Sequence, residues 1–200
     1  MENTSSSELA RELLNCCLEG RRWSDGLLEE LLQQALVSPQ GSRDFFQIVV
    51  ERLGDLFEPR LCDTYALLFS QIIARVRPEL AAEDLLARYE RVRRPRTATG
   101  APQNIFVLSR ITLGADVAVT SVILNALQRR FPRALVYFAG PRKNWALFAA
   151  NPRIRHLAID YGRGGTLQER LAVWPRLRAL VDQPGSFVVD PDSRLTQLGL

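Results

Sequence analysis

Histidine and lysine each occur once in the 200 residues, as His156 and Lys143, and cysteine only three times, at Cys16, Cys17 and Cys62. An odd number of cysteines without any Cys-x-x-Cys spacing, beside one histidine, supplies too few ligands for a zinc site. The cysteines read as small helix-packing residues of a reducing compartment, which points to the cytoplasm. Long apolar runs are missing as well: none approaches the ~20 residues that span a bilayer. The start Met1-Glu-Asn-Thr-Ser-Ser-Ser7 also lacks the basic segment and apolar core of a secretory signal. Absent, too, are Gly-x-Gly-x-x-Gly and the P-loop pattern, which removes the main support for a nicotinamide-dependent oxidoreductase or a nucleotide hydrolase of that type.

What is present is an ordinary globular composition, 46% apolar and 24% charged, with its charge unevenly spread. Residues 1–94 carry 12 basic and 16 acidic side chains, and residues 95–200 carry 14 and 6, giving −4 and +8. A basic domain attracts anions: phosphate-bearing metabolites, nucleic acid or an acidic membrane surface. The scattered arginines lack interleaved aromatics or a nucleic-acid-binding motif, so nucleic acid is not expected as a partner.

Residues 1–94 read as an all-helical domain of about five helices. The clearest face is Leu61, Tyr65, Leu68, Phe69, Ile72, Ile73 and Val76, at three-and-four spacing. Phe45, Phe46, Val49, Val50, Leu53, Leu56 and Phe57 repeat that spacing one helix earlier, with breaks at Ser38-Pro39-Gln40-Gly41, Pro59 and Pro78. Ser5 and Glu8 have capping-box spacing, and the last helix, about Glu79 to Arg93, stops before Pro95. Residues 95–103 form a linker.

From Asn104 the pattern alternates. Strands are expected at 105–109, 134–139, 154–159 and 186–190, with helices at about 116–131, 145–150 and 167–181. Such alternation predicts an α/β, Rossmann-like parallel sheet with right-handed crossovers, whose ligand lies beyond the carboxyl ends of the strands. The loops after the strands then hold the candidates. Arg110-Ile-Thr-Leu-Gly-Ala-Asp-Val117 places Thr112 and Gly114 ahead of Asp116, a carboxylate in the first turn of a helix that is either a cap or a general base. Arg142 and Lys143 follow strand two and suit a phosphate or carboxylate, or are solvated surface charge. Residues 160–166, with Arg163, form a glycine-rich loop that either closes over a substrate or only connects. Asp190-Pro-Asp-Ser-Arg194 follows strand four, where Arg194 either meets a ligand or neutralises Asp190 or Asp192. His156 reads as structural, at the start of strand three.

Residues 104–200 resemble the N-terminal half of the heptosyltransferase-like glycosyltransferases of family 9 type, which have the GT-B fold. The carriers are Leu113-Gly-Ala-Asp-Val117 with Thr120-Ser121, Ala126-Leu-Gln-Arg-Arg-Phe-Pro132, Gly140-Pro141, Asn151-Pro152 and Asp190. Ala115 departs from the family's Leu-Gly-Asp-Val run and predicts a carboxylate shifted by part of a helical turn. The resemblance implies inverting, metal-free sugar transfer from a nucleotide-diphosphate sugar to a glycan or lipid-linked acceptor in cell-envelope or lipopolysaccharide-like biosynthesis. It assigns Asp116 as the base, while Thr112, Gly114, Arg142, Lys143, Arg163, Asp190 and Arg194 are expected to bind substrate from their places in the loops after the strands. It requires no cofactor beyond the sugar nucleotide, and it suggests contact with the inner face of the membrane. The donor half belongs to a second domain expected beyond Leu200, so the chain reads as truncated and is expected to be inactive alone. The competing expectation is a non-catalytic binding module that keeps a degenerate glycosyltransferase fold.

Overall fold

In a computed structural model the protein is described at residues 4–56, 58–94, 100–110, 112–160 and 165–191, and it divides into two compact units. One comprises Met1–Tyr89 with Arg163–Ala172, the other Glu90–Gly162 with Val173–Leu200. Most of the expected linker, 95–99, and most of the glycine-rich loop, 161–164, lie outside the described residues. No helix among the described residues is long and apolar enough to cross a membrane.

The first unit is helical. Ser5 and Glu8 close the expected capping box and start α1 (Ser6–Glu19), which Gly20 ends with φ 69°. That left-handed backbone is open to glycine at no steric cost. Ser24 caps α2 (Asp25–Val37), and Ser38-Pro39 starts α3 (Pro39–Asp44), which runs through the π-helical Phe45–Val50 into α4 (Glu51–Asp55). Pro59 starts α5 (Pro59–Val76), and α6 is Ala82–Arg93. Both prolines stand at the first helical position, where a missing N–H costs nothing. The expected α5 stripe is buried from Leu61 through Ile73. Phe45, Val49, Val50 and Leu53 are buried too, whereas Phe57 lies outside the described residues. Each such large side chain contributes about 1.5–3 kcal/mol by leaving water.

The second unit holds a four-stranded, all-parallel sheet: β1 (Asn104–Leu108), β2 (Leu135–Gly140), β3 (Ile154–Ala158) and β4 (Ser186–Val189), in the order β3-β2-β1-β4. Alternate residues of β1 face opposite sides. Ile105 and Val107 pack with Leu124, Val136, Phe138 and Ile154, while Phe106 and Leu108 pack with Ala139, Ile159, Leu177 and Val181. Helices therefore cover both faces, as the apolar strands of a parallel sheet require. After β1, α7 (Leu113–Ala115), the π-helical Asp116–Thr120 and α8 (Ser121–Arg130) form one continuous helix. The helix after β2 is shorter and earlier than expected: α9 is Arg142–Trp145, followed by turns.

The helix expected at 167–181 is two. Pro175 has no N–H to donate to the carbonyl of Leu171, so the helix breaks at Ala172 into α10 (Leu167–Leu171) and α11 (Val173–Val181). The two halves then part company. α10 belongs to the helical unit, with the Arg170 guanidinium 3.9 Å from the centre of the Phe46 ring, whereas Leu177 and Val181 of α11 cover the sheet. Strand order reverses at β1: β2 and β3 build outward on one side and β4 returns to the other. The carboxyl ends of β1 and β4 flank the switch point, the place where ligands of such sheets bind.

Candidate functional site

Asp116 is fully buried, and its carboxylate collects four hydrogen bonds. Oδ1 accepts from the Arg110 backbone N–H at 2.9 Å and from Thr120 Oγ1 at 2.7 Å. Oδ2 accepts from Ser109 Oγ at 2.6 Å and from Asn144 Nδ2 at 2.6 Å. The donors come from three places in the chain. Ser109 and Arg110 leave β1, Thr120 sits one turn along the helix, and Asn144 comes from α9. Burying a carboxylate in this way is tolerated only when donors replace its water, which these four do.

The helix itself adapts to bring the carboxylate inward. Asp116 opens a π-helical turn, Asp116–Thr120, immediately after Ala115. A π turn closes on i→i+5 bonds and so takes up one residue more than an α turn. Asp116 faces the interior, where Thr120 and Ser109 meet it.

The loops after β1 and β2 pack closely because Gly140 has no side chain. A Cβ at Gly140 would stand 2.5 Å from the Cβ of Ser109 and 3.1 Å from Phe138 Cε1. His156 reaches the same end of β2. It is the third residue of β3, half-buried, with Nε2 2.9 Å from the Gly140 carbonyl and its ring stacked on Trp145 at 2° and 5.1 Å between centroids.

Of the substrate-binding residues expected from the sequence, Thr112 is half-buried as the N-cap residue of α7, but its side chain makes no capping bond. Gly114 is exposed inside the first turn, and a Cβ there would meet nothing within 4 Å, so neither its conformation nor its surroundings require glycine. Arg142 and Lys143 are exposed in α9 and form no ion pair among the described residues. Asp190 is half-buried directly after β4. Arg163 and Arg194 lie outside the described residues, as does Asp192. The four hydrogen bonds of Asp116 therefore reach none of Thr112, Arg142, Lys143 and Asp190. Sequence reasoning does not single out its partners Ser109 and Asn144; Thr120 enters only with the motif that carries the resemblance, one turn of helix after Asp116.

Arg110 likewise receives no role from the sequence. Its backbone N–H is fixed to Asp116, while its buried Nε has no hydrogen-bond partner among the described residues. The side chain thus stands half-buried at the carboxyl end of β1 with that donor uncommitted. Among the described residues no group of three or more His, Cys, Asp or Glu side chains is arranged to hold a metal ion. Compared with known proteins, the chain matches no family model, no curated protein and no solved structure.

Proposed function

We propose that the α/β unit is the acceptor-side half of a GT-B-type inverting glycosyltransferase, binding its substrates in the crevice beyond β1 and β4. The observation that carries this reading is Arg110: a half-buried residue, its buried Nε without a hydrogen-bond partner among the described residues, at the end of the strand that borders the switch point. A planar guanidinium in that setting suits a phosphate, whether on the sugar-nucleotide donor or on a phosphorylated glycan or lipid-linked acceptor. Thr112, Arg142 and Lys143, on the loops after β1 and β2, extend the polar surface on the same side of the sheet. In the reaction the acceptor oxygen attacks the anomeric carbon and gives up its proton, and the nucleoside diphosphate departs from the opposite face. The donor's diphosphate would rest largely on a second domain.

Asp116 is the base in this proposal, and its hydrogen bonds set a condition. An acceptor hydroxyl must displace one of the side-chain donors, Ser109, Thr120 or Asn144, because the backbone N–H of Arg110 cannot rotate away. The second reading, a binding module without chemistry, is favoured by the same four bonds: a carboxylate held by this many protein donors serves as the fastener of the loop after β1. Sugar transfer from a panel of nucleotide sugars, assayed on the full protein and on Asp116→Asn and Ser109→Ala, separates the two. Transfer that Asp116→Asn abolishes and Ser109→Ala retains supports the base. No transfer from any donor, with nucleotide sugars still bound, supports the binding module.

A further inference from the structure

We infer that the groove between α8 and the segment from Leu147 to Ile154 is a binding site for an uncharged sugar ring. The groove is a shallow, open depression of about 530 Å³, and none of its lining residues is charged. It lies at the amino end of β3, where Ile154 forms part of the wall, and so is separate from the Asp116 cluster at the carboxyl ends.

The walls combine three side-chain amides, Asn125, Gln128 and Asn151, with the apolar surface of Leu147 and Phe148. The orientation of Asn151 and Gln128 is fixed by a chain of hydrogen bonds. The Arg153 backbone N–H donates to Asn151 Oδ1 at 3.0 Å, which turns the Asn151 amide so that Nδ2 donates to Gln128 Oε1 at 3.3 Å. Gln128 is then left with its Nε2 donor facing no acceptor among the described residues, in a side chain only 9% exposed. That donor is closed off from solvent, so a ligand oxygen relieves it only where the Gln128 side chain turns outward to the groove.

The ligand class follows from what the walls offer and what they lack. Arg153, beside the lining residue Pro152, donates from Nη2 to the backbone carbonyls of Gln128 and Pro132. A phosphate or carboxylate would find no counter-charge in the lining, whereas neighbouring hydroxyls of a saccharide both accept from and donate to amides, with their C–H faces against Leu147 and Phe148. This inference stands without the transfer reaction, because it uses no residue of the proposed catalytic crevice.

The test is saturation-transfer NMR on the full protein with a panel of neutral mono- and disaccharides at millimolar concentration, with inorganic phosphate as the charged control. The expected result is binding of at least one saccharide, with the Gln128 side-chain amide shifting and the affinity falling about tenfold in Gln128→Glu and in Asn125→Trp. Asn125 is exposed, so the tryptophan blocks the groove without entering the core and decides the matter even if Gln128→Glu folds poorly. Absence of transfer from every saccharide, binding that both folded variants retain, or phosphate binding in the groove instead would overturn the inference.

Discussion

Asn144 Nδ2 and Asp116 Oδ2 meet at 2.6 Å in the buried interior, across 28 residues of chain, and fasten the loop after β2 to the helix after β1. Three further donors complete the arrangement, so the carboxylate acts as a common anchor for β1, α8 and α9. A residue so placed affects stability whatever its part in chemistry.

Asp116→Asn is therefore expected to destabilise the protein. An asparagine amide retains one acceptor oxygen but turns an NH2 toward groups that themselves donate, leaving buried donors unpaired. The cost should be roughly 3 kcal/mol, read as a lower midpoint in urea unfolding. A midpoint equal to wild type would show that the four bonds are of little weight, and would leave catalysis as the stronger reason for the aspartate.

Two glycines beside the site should respond in opposite ways. Gly140→Ala forces a methyl against Ser109 and should cost about 1–3 kcal/mol through overpacking. Gly114→Ala, in a helical turn with open space around it, should stabilise by up to about 1 kcal/mol. Loss of ligand binding in Gly114→Ala, with stability raised, would show that the glycine serves backbone approach by the ligand. Thermal unfolding of the two variants checks the first part and a binding titration the second.

Arg110→Ala should weaken nucleoside diphosphate binding by about tenfold or more, with Arg110→Lys intermediate because an ammonium cannot reproduce the planar fork. Arg142→Ala and Lys143→Ala, which alter exposed side chains, should change it less. Calorimetric titration with a nucleoside diphosphate gives the comparison, and an unchanged affinity in Arg110→Ala would remove the observation on which the proposed function rests.

Burial pushes the Cys17 thiol up to about 12, with neighbouring Cys16 adding to the rise and Arg60 opposing it. Because the folded state holds this proton more tightly than the unfolded chain, the associated stability is intact below the ordinary thiol range, near 9, and is lost as pH climbs toward 12. The expected slope is at most about 1.4 kcal/mol per pH unit. At pH near 8, alkylation followed by mass spectrometry should label half-buried Cys62 well before buried Cys17, and equal rates would contradict the packing described.

Much of the architecture was legible because it depends on local pattern. The apolar runs beginning at Ile105 and Ala134 become β1 and β2 because β-branched and aromatic residues suit the central strands of a sheet buried on both faces. Pro39 and Pro59 mark helix starts because proline is harmless only where no intrahelical N–H is required. The helix at 167–181 misled for an identifiable reason: its apolar periodicity continues through Ala172, but Pro175 interrupts the hydrogen-bond ladder and the two halves bury their leucines in different units.

The amino-acid sequence by itself determined the alternating strands and helices, the helical first part and the placement of Asp116, Arg110 and Asp190 near strand ends, since period and turn chemistry act over a few residues. Tertiary structure alone decided that Asp116 points inward and is met by Ser109, Thr120 and Asn144. The same holds for the Nε of Arg110 remaining uncommitted, and for Gln128 and Asn151 facing one groove. These are relationships between elements, fixed by sheet order, by one π turn and by the missing side chain of Gly140, and no spacing along the chain encodes the distance between them.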